Sequence, residues 1–520
     1  MRETTREAEG SMSGELPLIE TATKPRPGPG TRGGSAVTDG SAGNGAATRP
    51  HVFEVEGRLQ AFDPVSGRFF RLDPVARDVL EYWPARSGDE IAALLADRHP
   101  AAAVRGAFAE IARQTESGLL APVGVKPPDR PSPVPVEPRI VNLTLNVASG
   151  CNLRCVYCWN QGGAYGRATR QGRMEIPTAL KAVDFMVRHS SPQDALLVDF
   201  YGGEPLLNFE VLRATMDYCR GLEKEKKCDR TFSFKVTTNG TLLTREMVEY
   251  FSQLDVSLGV SIDGRKVIHD RNRPYPDGSG TWETIRHNVG PALAAGNLNV
   301  SARATLAPPD LDMVAAIKGL YRLGFRDTSV EFASESAEAF VPSGGIRYTE
   351  HDTRRMQQQY LRFARFYLKH TLYRDEAIDV GLSNLVTRVL HESRRPSPCG
   401  AGNHFITVSE EGGLYPCIGF IGMPEYLLGH VDTGIDLGRL ERFRHQMRSV
   451  VFEARECTNC WARSICAGNC PANNVQHNHD IYQPYGRGCD WLRFQLEVGM
   501  WLASEIAERK PERLEGYRPA

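Results

Sequence analysis

The chain has 520 residues, with 62 Lys and Arg against 63 Asp and Glu and a formal net charge of −1. That balance gives no sign of an electrostatic affinity for nucleic acid or acidic membrane surfaces, and no apolar run is long enough to span a bilayer. The length predicts two or three domains. The N-terminus lacks an export signal, so the twelve cysteines read as metal ligands kept reduced in a cytoplasmic protein rather than as disulfides.

Residues 1–50 are dominated by Gly, Ser, Thr, Ala and Pro, the composition of a disordered leader. From His51 the pattern changes. "HVFEVEGRLQAFDPVSGRFFRLD" alternates apolar and polar residues and is broken at Glu56-Gly57 and at Pro64 to Gly67, which predicts three short strands. Helical spacing of Leu, Ala and Ile predicts helices over 74–83, 88–98 and 102–119. Residues 51–120 therefore form a small module, and the proline-rich 121–138 ("PVGVKPPDRPSPVPVEP") is a stiff linker.

Over 139–345 strands and helices alternate. The strands are expected at 140–147, 195–201, 232–239, 255–262, 299–306 and 328–333, bridged by helices such as "IPTALKAVDFMVRH" and "TREMVEYFSQL". Six such units predict an α/β fold, a parallel sheet curved into an incomplete (β/α)6 barrel with helices outside. Chemistry in such sheets sits at the carboxyl ends of the strands. A connecting helical region (346–395, with a long helix near 350–374) leads to a loop-rich 396–520 that holds seven of the cysteines.

The first strand runs into "NVASGCNLRCVYCWN", which places Cys151, Cys155 and Cys158 on one loop. A closed structural zinc site needs four ligands. Three thiolates on a 4Fe–4S cube leave one iron open. A zinc site with a remote fourth ligand is the alternative. Each later strand end carries its own motif: "YGGEP" (Tyr201–Pro205), "TTNG" (Thr237–Gly240), "SIDG" (Ser261–Gly264) and Arg303 in "ARAT". Glycines admit a close backbone approach, and Glu204 suits an ammonium.

With Tyr157 inside the second cysteine gap, this series resembles the radical S-adenosylmethionine (SAM) superfamily. The resemblance implies that the open iron chelates SAM and that one electron releases a 5′-deoxyadenosyl radical. It implies SAM contacts from Tyr157, Gly202, Gly203 and Glu204 (amino group), Asn239, Ser261 and Asp263 (ribose) and Arg303 (carboxylate). Cys399, Cys417 and "CTNCWARSICAGNC" with Cys489 resemble the SPASM domain of peptide-modifying relatives. Carried over, Cys399, Cys417 and Cys470 hold a first auxiliary 4Fe–4S cluster, and Cys457, Cys460, Cys466 and Cys489 a second. A zinc ribbon is the competing reading. Cys219 and Cys228 read as incidental, and His477 and His479 as polar loop residues.

The N-terminal module resembles the winged-helix PqqD-like element that binds a leader peptide as an added strand; a structural cap is its bland alternative. The whole is most like the thioether-forming maturases of ribosomally made peptides. Expected partners are a precursor peptide and an electron donor such as flavodoxin or ferredoxin, with neither nucleic acid nor membrane. Carbon–carbon cross-linking, or a thioether in a protein subunit, is the alternative. Formylglycine formation on sulfatases is disfavoured by Ile418, where those relatives carry an acidic base. The non-enzyme alternative is a peptide-binding scaffold.

Overall fold

The computed structural model describes residues 49–122, 125, 137–165, 172–225, 229–335, 345–374, 379–392 and 394–518. Nearly all of the expected leader, most of the linker and Cys228 lie outside the described residues. Two compact units result. One comprises the residues up to 129 together with 503–512, and the other the remainder.

In the first unit, strands β1 (His51–Val55), β2 (Arg58–Phe62) and β3 (Phe69–Arg71) form an antiparallel sheet in that order. Glu56 and Gly57 both have positive φ (54° and 73°). A two-residue hairpin turn that matches strand twist requires this. Helices α1 (Pro74–Leu80), α2 (Gly88–Leu94) and α3 (Ala101–Glu116) follow. Asp73 caps α1, and Ser87 with Glu90 forms a capping box on α2. α1 and α2 stop three and four residues short of expectation, before the proline-containing stretches at Trp83-Pro84 and His99-Pro100. Ala61, Phe70, Val79, Ile91, Val104 and Ile111 make the core. On residues 503–512, Glu505 is buried and pairs with Arg71 (2.6 Å) and Arg58 (3.3 Å) of the sheet.

The second unit is built on one sheet. Its parallel strands are β4 (Asn142–Ser149), β6 (Ala195–Gly202), β7 (Thr231–Thr238), β8 (Val256–Ser261), β9 (Asn299–Leu306) and β10 (Asp327–Phe332), neighbours in chain order. β5 (Gly172–Arg173) adds a short antiparallel piece to β4. Between them lie α4 (Ile176–Arg188), α5 (Phe209–Lys224), α6 (Arg245–Phe251), α7 (Lys266–Asn272), α8 (Trp282–Ala294) and α9 (Met313–Arg322). All six expected strands are present within two residues of their predicted ends.

Strand alternation sorts the two faces. Leu143, Leu145, Val198, Phe200, Phe234, Val236, Leu258, Val260, Ala302 and Ala304 are buried on one face and supply the apolar core. The other face presents Thr144, Asp199, Tyr201, Lys235, Thr237, Ser257, Ser261, Ser301 and Arg303, and Arg303 is exposed. A face this polar is built for a ligand rather than for packing.

After α10 (Glu350–Tyr373) and α11 (Val380–His391), the loop-rich C-terminal region also contributes helices and short strands that the sequence did not single out. β11 (Phe405–Val408) joins β4 in parallel as a seventh strand, with Phe405 opposite Asn142. β12 (Gly413–Tyr415), β13 (Gly429–His430) and β14 (Gly434–Ile435) extend the sheet in antiparallel sense. Helices α12 (Leu437–Glu453), α13 (Arg455–Thr458), α14 (Arg463–Cys466), α15 (Pro471–Asn478) and α16 (Gly486–Arg509) complete it. The strands were missed because "FITV" and "GLY" are too short to show a period. No described helix is long and apolar enough to cross a membrane.

Candidate active site

The loop after β4 carries Cys151, Cys155 and Cys158, all free thiols. Backbone bonds anchor it on two sides. Arg154 N and Val156 N donate to Pro274 O and Asn272 O, each at 2.9 Å. Glu204 N, just past β6, donates to Gly150 O at 2.9 Å. The paired glycines of "YGGEP" serve this packing. A Cβ on Gly202 would stand 2.5 Å from Ala148 O, and one on Gly203 would stand 2.2 Å from Gly150 O. The expected close approach exists, and its partner is the cysteine loop itself.

The sulfurs collect N–H donors. Gly162 N reaches Cys158 Sγ at 3.1 Å, Leu153 N reaches Cys151 Sγ at 3.4 Å, and Asn239 Nδ2 reaches Cys151 Sγ at 3.7 Å. Burial pushes the Cys151 thiol up to about 11 and Cys155 to about 12. Each is raised further by a neighbouring thiol of the trio, so the three share one electrostatic neighbourhood. A thiol so placed is held as thiolate by a bound cation, and the N–H donors then stabilise it. The donor set fits an iron–sulfur cluster.

Glu204 is fully enclosed. Oε1 accepts from Leu206 N (3.0 Å) and the Thr238 hydroxyl (2.6 Å), and Oε2 from Asn239 N (2.7 Å). Burial raises its pKa to about 7, against the lowering effect of those three bonds. It ties the end of β6 to the end of β7. Asn239 is engaged likewise, with Nδ2 also donating to Asn152 Oδ1 at 2.9 Å and Oδ1 accepting from Thr241 N and Oγ1.

Asp263, expected near a ribose, sits just past the end of β8. Its carboxylate meets Arg273, with Nη2 to Oδ1 at 3.0 Å and Nε to both oxygens at 3.1 Å. Tyr157 Oη donates to Oδ2 at 3.1 Å and Thr305 N to Oδ1 at 2.9 Å. Arg273 is buried, lies over the Tyr157 ring at 5.4 Å, and favours the charged forms of Cys155 and Cys158. It is the residue that sequence reasoning missed; "HDRNRP" gave no motif by which to single it out. Ser261 and Arg303 stand opposite each other in the β8–β9 register, on the polar face.

The C-terminal thiols fall into two neighbourhoods. Cys417 is pushed up by burial and then by Cys470 and Cys399. Cys457 is raised to about 12 by burial and then by Cys466, Cys460 and Cys489. In "CAGNC", Ala467, Gly468 and Asn469 all have positive φ (58°, 103° and 64°), a costly run for residues with a Cβ that turns the chain between Cys466 and Cys470. His477 stacks on Tyr485 with centroids 3.8 Å apart, and His479 caps α15. Cys219 is buried in α5. Glu335, just past β10, accepts from Tyr485 Oη and from Arg487 at 2.7 Å, joining the β10 end to the cysteine-bearing segment. Among the described residues no three His, Cys, Asp or Glu side chains gather around a single-ion site.

A loop of three thiols after the first strand, braced by motifs at the ends of the next four, sits within residues 145–304, which match the Radical SAM superfamily profile. The central sheet is a radical SAM domain. The fold is that of radical SAM proteins with a SPASM-type C-terminal region. An uncharacterised protein of Methanocaldococcus jannaschii is 33% identical over 146 residues, 28% of this chain and 46% of that protein, so the chain spans about half of that relative. The serine-type anaerobic sulfatase-maturating enzyme of Bacteroides thetaiotaomicron is 24% identical over 356 residues, 64% of this chain and 83% of that enzyme. The structure of native anSMEcpe with bound AdoMet shares the fold at a TM-score of 0.59 and 18% identity, over 71% of this chain and 99% of that one.

Proposed function

We propose that this radical SAM enzyme modifies a side chain of a peptide or protein substrate, and that its product is a cross-link in a ribosomally made peptide. The observation that carries the reading is the similarity along 83% of an enzyme named for maturing another polypeptide. That relative is named for a serine-type target, so a substrate thiol is not demanded. Other relatives are named cysteine-type, and carbon–carbon cross-linking is placed ahead of the thioether. Formylglycine formation is the second reading; Ile418, at the start of the turn after Cys417, leaves it without the acidic base that the resemblance implies.

In this reading Cys151, Cys155 and Cys158 hold a 4Fe–4S cluster, which with SAM bound supplies a 5′-deoxyadenosyl radical. Asn239 and the Gly162 and Leu153 amides orient the thiolates. Arg303 takes the SAM carboxylate, and Tyr157, Gly202, Gly203, Glu204, Ser261 and Asp263 shape the pocket. Asp263 does so through Arg273 and Tyr157. Cys399, Cys417 and Cys470 hold one auxiliary cluster, and Cys457, Cys460, Cys466 and Cys489 the other. An external flavodoxin or ferredoxin donates electrons.

Residues 51–120 capture the leader. Their sheet has β1 and β3 as its edges. An added strand gains backbone hydrogen bonds at such an edge. The test co-expresses the enzyme, with and without residues 51–120, beside a short peptide encoded next to its gene. The intact enzyme should remove one hydrogen pair per cross-link. The truncated enzyme should lose most of this at low peptide concentration, because it loses effective concentration, yet still form deoxyadenosine. Equal modification by both would reduce the module to a cap.

A further inference from the structure

The polar face of the sheet holds a pair of charges that the assignments above leave unused. One register row crosses it from Thr407 through Thr144, Asp199, Lys235 and Ser257 to Asn299. At its centre Lys235 Nζ donates to Asp199 Oδ2 at 2.9 Å. Asp199 is only 9% exposed, and its Oδ1 has no hydrogen-bond partner among the described residues. Thr237 Oγ1 and Thr407 Oγ1, on the same face, are also buried without one. A buried polar atom left unpaired costs about 1–3 kcal/mol. Three on one face indicate a polar occupant.

Gly259 lies between Thr237 and Ser301 in the register. A Cβ there would meet their hydroxyls at 3.6 and 3.7 Å and Val236 O at 3.7 Å, so the row carries no side chain at this point. Arg303, two residues beyond Ser301 on the same face, is exposed, and its charge, like that of Lys235, favours the ionised form of Asp199 against the effect of burial.

Charge decides what fits. With Arg303 assigned to the SAM carboxylate, Asp199 and Lys235 remain as a mutually neutralised pair. An incoming ammonium is repelled by Lys235 and an incoming carboxylate by Asp199. A neutral donor meets the open lone pairs of Oδ1 at no such cost.

We propose that Asp199 and Lys235 form the selectivity site for the substrate side chain and admit a neutral hydrogen-bond donor: a hydroxyl, a carboxamide or an indole N–H. This rests on the peptide-modifying reading.

The test uses full-length holoenzyme, reconstituted anaerobically and supplied with SAM, as wild type, D199N, K235M and K235R. The probe is a mixture of short synthetic peptides identical except for one central Ser, Asn, Trp, Lys, Glu or Leu, and retained peptides are counted by mass spectrometry. Wild type and K235R should retain the Ser, Asn and Trp peptides about tenfold over the others, the worth of one hydrogen bond to a charged group. K235M leaves Asp199 uncompensated and should turn the preference toward Lys. D199N leaves Lys235 uncompensated and should turn it toward Glu. Identical profiles in all four enzymes, or no retention by wild type, would overturn the proposal. Deoxyadenosine is measured in the same samples. Its absence from wild type would defeat the underlying enzymatic reading instead, and its presence with flat profiles would defeat only the selectivity site.

Discussion

The two groups of cysteines are held by opposite means. Cys151, Cys155 and Cys158 are braced from far along the chain: by Asn239 at the end of β7, by the Asp263–Arg273 pair beyond β8, and by the packing of Gly203 on Gly150. The C-terminal thiols lean mainly on side chains of their own C-terminal region, with Glu335 a brace from the sheet. Asn469 Nδ2 donates to Cys489 Sγ at 3.8 Å and Arg493 Nη1 to Cys460 Sγ at 3.9 Å. Gln476 of α15 reaches Gly419 O beside Cys417 at 3.0 Å. A site braced by a sheet is preformed before metal arrives, whereas a site built from short helices and left-handed turns takes its rigidity from the metal.

The harshest way to break this contrast is to empty each site. Alanine at Cys151, Cys155 and Cys158 should abolish anaerobic deoxyadenosine release with dithionite, a loss of at least about 100-fold, because no open iron remains. The fold should survive, as read by an unchanged urea midpoint of the metal-free chain. Alanine at Cys457 and Cys460 should remove about four of about twelve irons per chain, leave the iron of the first site, and make residues around 455–489 sensitive to protease. Zinc in place of that iron would end the two-auxiliary-cluster reading.

A smaller effect separates the braces. Arg273→Met strands the buried Asp263 carboxylate, and breaking a buried pair costs about 3–5 kcal/mol. Chemical denaturation should show this, together with a weakened hold on the first site's iron. Arg493→Met removes a half-exposed partner of an exposed Asp490 and should cost under about 1 kcal/mol. Equal costs would mean that the first loop is not held from outside.

Legibility followed sequence distance. The six barrel strands could be read because each is a run of apolar alternation long enough to carry a period, and their motifs sit where a strand ends. The thiol sets could be read because cysteine spacing is local. The pairing of Asp263 with Arg273 could not, since a turn of chain separates them and nothing in "SIDG" says that its carboxylate faces inward. The Asp199–Lys235 pair was hidden for another reason. Each residue is one polar position in an alternating strand, and only the register places them side by side. β11 escaped because a four-residue strand has too few alternations to distinguish it from a loop.

The mildest test of the contrast concerns Glu204 and is read in the metal-free chain with thiols reduced. Burial raises this carboxyl from its ordinary 4.5 to about 7 in the folded protein. Between those values the native state keeps a proton that the unfolded chain releases. Unfolding free energy therefore falls as pH rises from about 4.5 to about 7, by roughly 3 kcal/mol for a shift of this size. Stability from this group is fully present below the lower value and lost by the upper one. Glu204→Gln has no proton to lose. It also loses the acceptor for Asn239 N and so starts less stable, which makes the slope and not the midpoint diagnostic. Urea titrations at pH 5 and pH 7 should show the wild type weakening more than the variant, with the other titrating groups cancelling in the difference. Thiols at the C-terminal site lean on the amide of Asn469 and the guanidinium of Arg493, neither of which titrates in this window, so changes there should leave the slope alone. Parallel wild-type and Glu204→Gln profiles would show that the first site is not braced through a buried carboxyl at the end of β6.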